Sequence, residues 1–280
     1  MIRRKAKREG FGACRRLWIA VAAVLVVFSV APAVRSASRA EQGGGSPRAN
    51  GQTAIWDGLL HRYGHRGGVD YRGLESERAK LSAFIEDLGT VDPSALDRRD
   101  RLAFWINAYN SVVVDFVLER YPGIQSVRKV DGFFDRFKAR VAGRQMTLDQ
   151  IEARARSFGD PRVHFALVCA SASCPDLRPE AYRGSDLEAQ IEDQVKTFLA
   201  NPEKGMRFDR SANTLYLSSI FKWYAGDFTG GSTIVAYFLR GGVLDWVLQH
   251  LPSNQAAVIR AADPSITYLN YDWSLNDRPR

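Results

Sequence analysis

Arg162-Val-His-Phe-Ala-Leu-Val-Cys169, followed by Ala170-Ser-Ala-Ser-Cys174-Pro175, decides how this chain is read. The first eight residues alternate around β-branched and aromatic side chains, as a short buried strand does. The next six are small, polar and closed by proline, as a loop is. The stretch therefore predicts a strand that delivers His164, Cys169 and Cys174 to one strand exit. In a regular strand an odd separation puts His164 and Cys169 on opposite faces, so direct pairing of imidazole and thiol needs a bulge or the turn after Cys169.

Upstream of that strand the apolar period is helical. Ile55, Trp56, Leu59, Leu60 and Tyr63 share one face, as do Leu81, Phe84, Ile85 and Leu88. A long helix is predicted over Arg98–Arg120, ended by Tyr121-Pro-Gly123. It carries Asn107 and Asn110, three apart and set among Leu102, Trp105, Ile106, Tyr109 and Val113, so each amide needs a defined hydrogen-bond partner. Two roles stand open for them: tying loops to the core, or orienting a catalytic group or ligand. Thr147-Leu-Asp-Gln150 opens a helix to about Ser157 with a capping box, and Ser185-Asp-Leu-Glu188 caps another. Met206–Asp209 and Leu215–Ser218 then read as a hairpin turning at Ser211–Asn213, helices follow near Thr233–Leu239 and Val243–His250, and a late strand runs over Ile266–Trp273. The fold class is α+β, with N-terminal helices packed on a small, mainly antiparallel sheet.

Charge would mislead if taken whole. The chain carries a formal +8, but ten of its 39 Lys/Arg and two of its 31 Asp/Glu fall in residues 1–50, which leaves 29 of each sign for the remainder. A neutral remainder lacks the bulk footprint of a nucleic-acid binder. The basic excess, Arg3 to Arg16, precedes an uncharged run from Leu17 to Val34, the pattern of a secretory signal or signal anchor. Ala31-Pro-Ala33 offers a cleavage site, and the run is also near the lower limit for spanning a bilayer, so cleavage and membrane anchoring both stand. Residues 1–34 are read as this segment, 35–52 as a Gly/Ser-rich linker, 53–276 as one globular domain and 277–280 as a tail. An exported domain faces the periplasm or the extracytoplasmic side of a membrane.

Several phrases, in order, resemble the domain of unknown function 547 family: Phe104–Asn110, Gly159–Cys169 with Ser173-Cys-Pro175, Leu177–Tyr182, Leu217–Tyr224 through Asp227-Phe228, and Tyr271–Asn276. Together they cover Val69 to Asn276. The resemblance implies a fold boundary and, for bacterial members, frequent secretion signals; it implies no chemistry. A more distant analogy is to papain- and transglutaminase-like thiol hydrolases, in which a helix opens with the nucleophilic cysteine and a later strand supplies the histidine. Here that helix carries Asn107 and Asn110 instead, so a thiol must come from Cys169 or Cys174.

The candidate chemistry gathers around those two cysteines. A reactive thiolate needs His164 or a cation such as Arg178 beside it, and the imidazole needs an orienting group from Asn107, Asn110 or Asp227. Phe221, Trp223, Tyr224 and Phe228, with Lys222, Asp227, Ser218 and Ser219, would wall a binding pocket for a small molecule or peptide. No cofactor is called for, and zinc is disfavoured because the spacing is not Cys-x-x-Cys. Two functions follow: a thiol-dependent hydrolase or transferase acting on an amide or thioester, or a non-catalytic envelope module in which Cys169 and Cys174 form a disulfide staple. A redox protein is the third.

Overall fold

The computed structural model of the protein describes residues 47–230 and 240–278. The signal segment, most of the linker and the helix expected at Thr233–Leu239 lie outside the described residues. Among the described residues no helix is long and apolar enough to cross a membrane.

The centre of the molecule is the helix α4, Arg98–Leu118, opened by Asp97, whose side chain accepts from the Asp100 N–H. Sixteen of its 21 residues are buried, so it is apolar all round, as a helix enclosed by its neighbours must be. Five earlier elements lead into it: α1 (Pro47–Tyr63), the two-residue strands β1 (Gly64–His65) and β2 (Gly68–Val69), α2 (Tyr71–Glu75) and α3 (Arg78–Leu88). Trp56, Leu59, Leu60, Leu81, Phe84 and Leu88 are buried as their spacing predicts, whereas Ile55 is exposed. The hairpin β3 (Ala139–Val141) and β4 (Arg144–Met146) turns through Ala142 and Gly143, both at positive φ, the two-residue geometry that matches strand twist. Their N–H groups bond the Leu88 and Gly89 carbonyls, pinning the turn to the end of α3. Helix α5, Leu148–Arg156, starts with the expected capping box of Thr147 and Gln150.

The chain then departs from the strand predicted at Arg162–Cys169. Asp160 caps a 3-10 turn over Pro161–Phe165, with Pro161 in its first turn, and Ala166–Cys169 run without strand partners. A side chain takes the place of the missing ladder. Asn110 Nδ2 donates to the Ala166 carbonyl at 2.9 Å, and its Oδ1 accepts from Val168 N–H at 2.9 Å. Asn107 does the same for one residue, Nδ2 to the Tyr182 carbonyl at 2.8 Å and Oδ1 from the Tyr182 N–H at 3.0 Å. A primary amide offers the same donor and acceptor as a peptide group, so both asparagines pair buried backbone as a neighbouring strand would.

The second half builds a smaller apolar cluster from α6 (Leu187–Leu199), β5 (Met206–Asp209), β6 (Thr214–Leu217), α7 (Ser219–Trp223), α8 (Ala225–Phe228), α9 (Arg240–Gln249) and α10 (Ser253–Ala262). Ser185 and Asp186 give α6 no side-chain cap, because the Ser185 hydroxyl donates to Asp186 instead. β5 and β6 pair antiparallel with Asp209 Oδ1 closing the turn, and β7 (Ser265–Tyr268) joins β6 in parallel. The class is α+β, with its strands in three small sheets among the described residues. The late strand is shorter than predicted, because from Tyr271 onward the chain becomes a strap: Ala172 and Ser173 N–H bond the Ser274 and Asp272 carbonyls, and Asn276 N–H bonds the Ala170 carbonyl. Val163 and Ala166 pack into the first apolar cluster and Phe165 into the second. His164 is thus held where the two meet.

Candidate functional site

Cys169 and Cys174 come together because Ala170 adopts φ +62°. That left-handed conformation is uncommon for a residue with a Cβ, and it folds the loop back so that the Cys169 N–H points at Cys174 Sγ, 2.9 Å away. Both thiols are free, Cys169 half-buried and Cys174 buried, with their sulfurs 2.8 Å apart. Cys169 Sγ also lies 3.0 Å from Ser171 Oγ and 3.5 Å from Tyr271 OH, and the Ser171 hydroxyl donates to Tyr271 at 3.0 Å. Hydrogen bonding from Cys174, and then from Ser171 and Tyr271, outweighs burial and holds Cys169 down to about 6. Burial pushes Cys174 well above the usual thiol range. The two shifts run in opposite directions, which favours negative charge on Cys169 and the proton of the pair on Cys174.

His164 reaches the same region from the 3-10 turn. Its Nε2 lies 2.7 Å from Asp227 Oδ2, and its ring stacks on Tyr224 at 4.0 Å between centroids. Arg156, at the end of α5, bonds the same Asp227 oxygen through Nε at 2.9 Å and lies over the Tyr224 ring. Against the penalty of burial, the His164 and Arg156 hydrogen bonds hold Asp227 below the usual carboxylate range. Desolvation drives His164 down to about 4 even though Asp227 opposes it. A neutral imidazole bonded to a carboxylate carries its proton on Nε2, which leaves the Nδ1 lone pair free to accept.

His164, Cys169 and Cys174 line one cavity of about 360 Å³, walled by the aromatic rings of Tyr109, Trp223 and Tyr224. No hydrogen bond joins His164 to either thiol; they share the cavity wall. Trp223, Tyr271 and Trp273 also line the cavity, packed together with ring centroids 4.6 to 5.7 Å apart, the two tryptophans stacked and Tyr271 tilted against both. Glu152 and Asp149 also face the cavity. Burial raises both carboxyls, although the Tyr224 hydroxyl donates to Glu152 at 3.0 Å.

Of the residues singled out from the sequence, His164, Cys169, Cys174, Trp223 and Tyr224 meet at this cavity, and Asp227 supports it through His164. Arg178 does not approach the thiols. Its guanidinium bonds Asp193, Glu180 and the Gln190 carbonyl, tying the preceding loop to α6. Asn107 and Asn110 pair backbone at Tyr182, Ala166 and Val168 and make no hydrogen bond to His164. Ser218 caps α7, and Lys222 lies over the Tyr268 ring. Sequence reasoning missed Ser171, Tyr271, Glu152 and Arg156. Tyr271 stood inside a quoted motif, whereas Glu152 and Arg156, four apart on α5, carry no sequence pattern that sets them apart from other charged helix residues.

Residues 93–199 match the protein family described as "Protein of unknown function, DUF547". The resemblance read from the sequence holds over that stretch, which contains α4, the 3-10 turn and both cysteines; the phrases at Leu217–Phe228 and Tyr271–Asn276 lie beyond it. No curated protein and no solved structure matches the chain.

Proposed function

We propose that this is an exported, thiol-dependent hydrolase or transferase that acts on an activated acyl group, with Cys169 as nucleophile, His164 as base and Asp227 as the group that sets the imidazole tautomer. The observation that carries the reading is the shared cavity: a half-buried cysteine with a depressed pKa and a carboxylate-bonded histidine open onto the same aromatic-walled space. Export is supported by the cationic opening and uncharged run of residues 3–34.

In the first step the Cys169 thiolate adds to the acyl carbon, the bond to the leaving group breaks, and an S-acyl cysteine forms. A thiolate leaving group departs without a proton, whereas an amine needs one. A His164 that is neutral above about pH 4 has none to give, so a thioester suits the site better than an amide. In the second step Nδ1 of His164 takes a proton from water or from an acceptor nucleophile as it attacks the thioester carbon, which frees Cys169. The two carboxyls at the cavity, Glu152 half-buried and Asp149 exposed, favour a neutral or cationic acyl chain.

A second reading rests on the 2.8 Å approach of the sulfurs: a binding module whose cysteines oxidise to a disulfide staple. Incubating the full chain with a small acyl thioester and weighing it intact tests both. The catalytic reading expects one acyl adduct, mapped to Cys169, and none on Cys169→Ser; His164→Ala should acylate but turn over at least tenfold more slowly. A protein isolated without reductant that is two mass units lighter and takes no acyl group even after reduction would overturn it in favour of the staple.

A further inference from the structure

On the far side of α5 from the thiols the surface holds a second and larger cavity, about 930 Å³. Arg98 and Arg101 reach it from the first turn of α4, Arg144 from β4 and Arg154 from the last turn of α5. Four guanidiniums from three elements thus line one space. Asp92 is its one lining carboxylate; its Oδ1 accepts from the Ser94 N–H and hydroxyl at 2.9 and 2.7 Å, and its single charge leaves the lining net cationic.

The local structure accounts for one of the four cations, Arg98, whose guanidinium lies over the Phe158 ring. Among the described residues none of them makes an ion pair, although arginines elsewhere in the protein such as Arg62, Arg156 and Arg162 do. Arg98 bonds the Phe158 carbonyl at 2.7 Å. The Nε–H of Arg101 is buried and has no partner, an expensive state for a charged donor. Cations in the first turn of α4 also oppose the helix dipole. Where residues break local rules together around one cavity, binding is the usual compensation. Beneath them the buried Trp105 and Met146 form an apolar floor.

We propose that this cavity binds a multiply charged phosphate-bearing ligand, its anionic groups held by Arg98, Arg101, Arg144 and Arg154 and its organic part resting on Trp105. Planar guanidiniums match phosphate oxygens bidentately, and an anion bound at Arg101 compensates a cation that the protein itself leaves with a buried, unpartnered Nε–H. The volume suits a whole small organic phosphate or a lipid headgroup with the start of its chains. The site is separate from the thiol cavity and stands whether or not Cys169 is a nucleophile.

The test is binding to the full-length protein, with inorganic pyrophosphate as the soluble probe and phosphatidic acid vesicles, against phosphatidylcholine vesicles, as the lipid probe. Saturable binding is expected for at least one anionic probe, weakening at least tenfold in Arg101→Gln and in Arg144→Gln/Arg154→Gln and falling as salt is raised. Pyrophosphate alone would assign a soluble phosphate, and phosphatidic acid alone a headgroup. Since Arg101 has no protein partner, Arg101→Gln should keep or raise the melting temperature of the unliganded protein, while the probe's stabilisation of the wild type is lost. Absence of saturable binding to either probe, or equal affinity in these variants, would overturn the proposal.

Discussion

The pH dependence of Cys169 alkylation tests the core of the site, and removing Cys174 is the informative perturbation. Hydrogen bonding from Cys174 is the largest influence holding Cys169 near 6, so Cys174→Ala should return it toward the ordinary thiol value of about 8.5. At pH 6 the wild type is about half thiolate and an ordinary thiol about 0.3 %, a ratio of roughly 150. The more basic thiolate is the better nucleophile, and a Brønsted slope of about 0.45 over 2.5 pKa units returns roughly tenfold. The net expectation is an alkylation rate by iodoacetamide about ten times slower in Cys174→Ala at pH 6, with the midpoint of the pH profile moved from about 6 to above 8. Peptide mapping assigns the modified residue, and circular dichroism confirms that the variant is folded. A wild-type midpoint at 8 or above, or one that Cys174→Ala leaves in place, would refute the claim that the neighbouring thiol activates Cys169.

Three further outcomes follow from the same structure. Asn107→Ala orphans both the N–H and the carbonyl of buried Tyr182, so urea unfolding should show a loss of about 2–4 kcal/mol, while the Cys169 alkylation midpoint stays at about 6; a shifted midpoint with unchanged stability would return this amide to the site. His164 titrates at about 4 in the folded protein against about 6.5 unfolded. Below 6.5 the unfolded chain binds a proton the folded one refuses, so stability should fall by up to about 3 kcal/mol between pH 6.5 and 4, and His164→Gln should flatten that portion of the curve. Asp227→Asn removes the carboxylate that holds the Nε2 proton, and it should slow turnover of the acylated enzyme without moving the Cys169 midpoint.

The helices and the class of the fold were legible because they rest on periodicity. The face of α1 and the capping box of α5 are local signals, and the burial of α4 shows in its apolar residues. The segment at His164 was not legible, for a physical reason. Val163, Phe165, Leu167 and Val168 are as buried as a central strand would make them, but their burial comes from two separate apolar clusters, and their backbone partner is the side chain of Asn110, 58 residues before Val168. A pattern of alternating apolar residues reports burial and cannot say what accepts the hydrogen bonds. The odd-separation argument against His164 and Cys169 sharing a space fails for the same reason, since without a strand there are no opposite faces. The asparagines carried the missing information: an amide inside an apolar helix face had to serve backbone or site, and here it serves backbone. Asp227 was named as one possible orienter among three, and only the packing of α8 against the end of α5 singles it out.

Whether the thiols act as a nucleophile or as a staple comes down to how tightly the reduced pair is held, and the asymmetry of the two cysteines makes that measurable. Forming the disulfide releases two electrons together with whatever protons the dithiol still carries. Below about pH 6 both thiols are protonated, so the reduction potential should fall by about 59 mV per pH unit. Above it Cys169 has already lost its proton while burial keeps the one on Cys174, so only one proton accompanies the two electrons and the slope should halve to about 30 mV per unit. A thiolate stabilised in this way also favours the reduced form, by roughly a factor of ten at pH 7 relative to a pair titrating above 8. Equilibrating the protein with a dithiothreitol couple from pH 5 to 8 reads both effects. A break in slope near pH 6 would mean that the arrangement which activates Cys169 also resists its loss to a disulfide, as a resting nucleophile in an oxidising compartment requires. A single slope of about 59 mV through pH 8 would show two ordinary thiols, and the staple would then be the better account of their proximity.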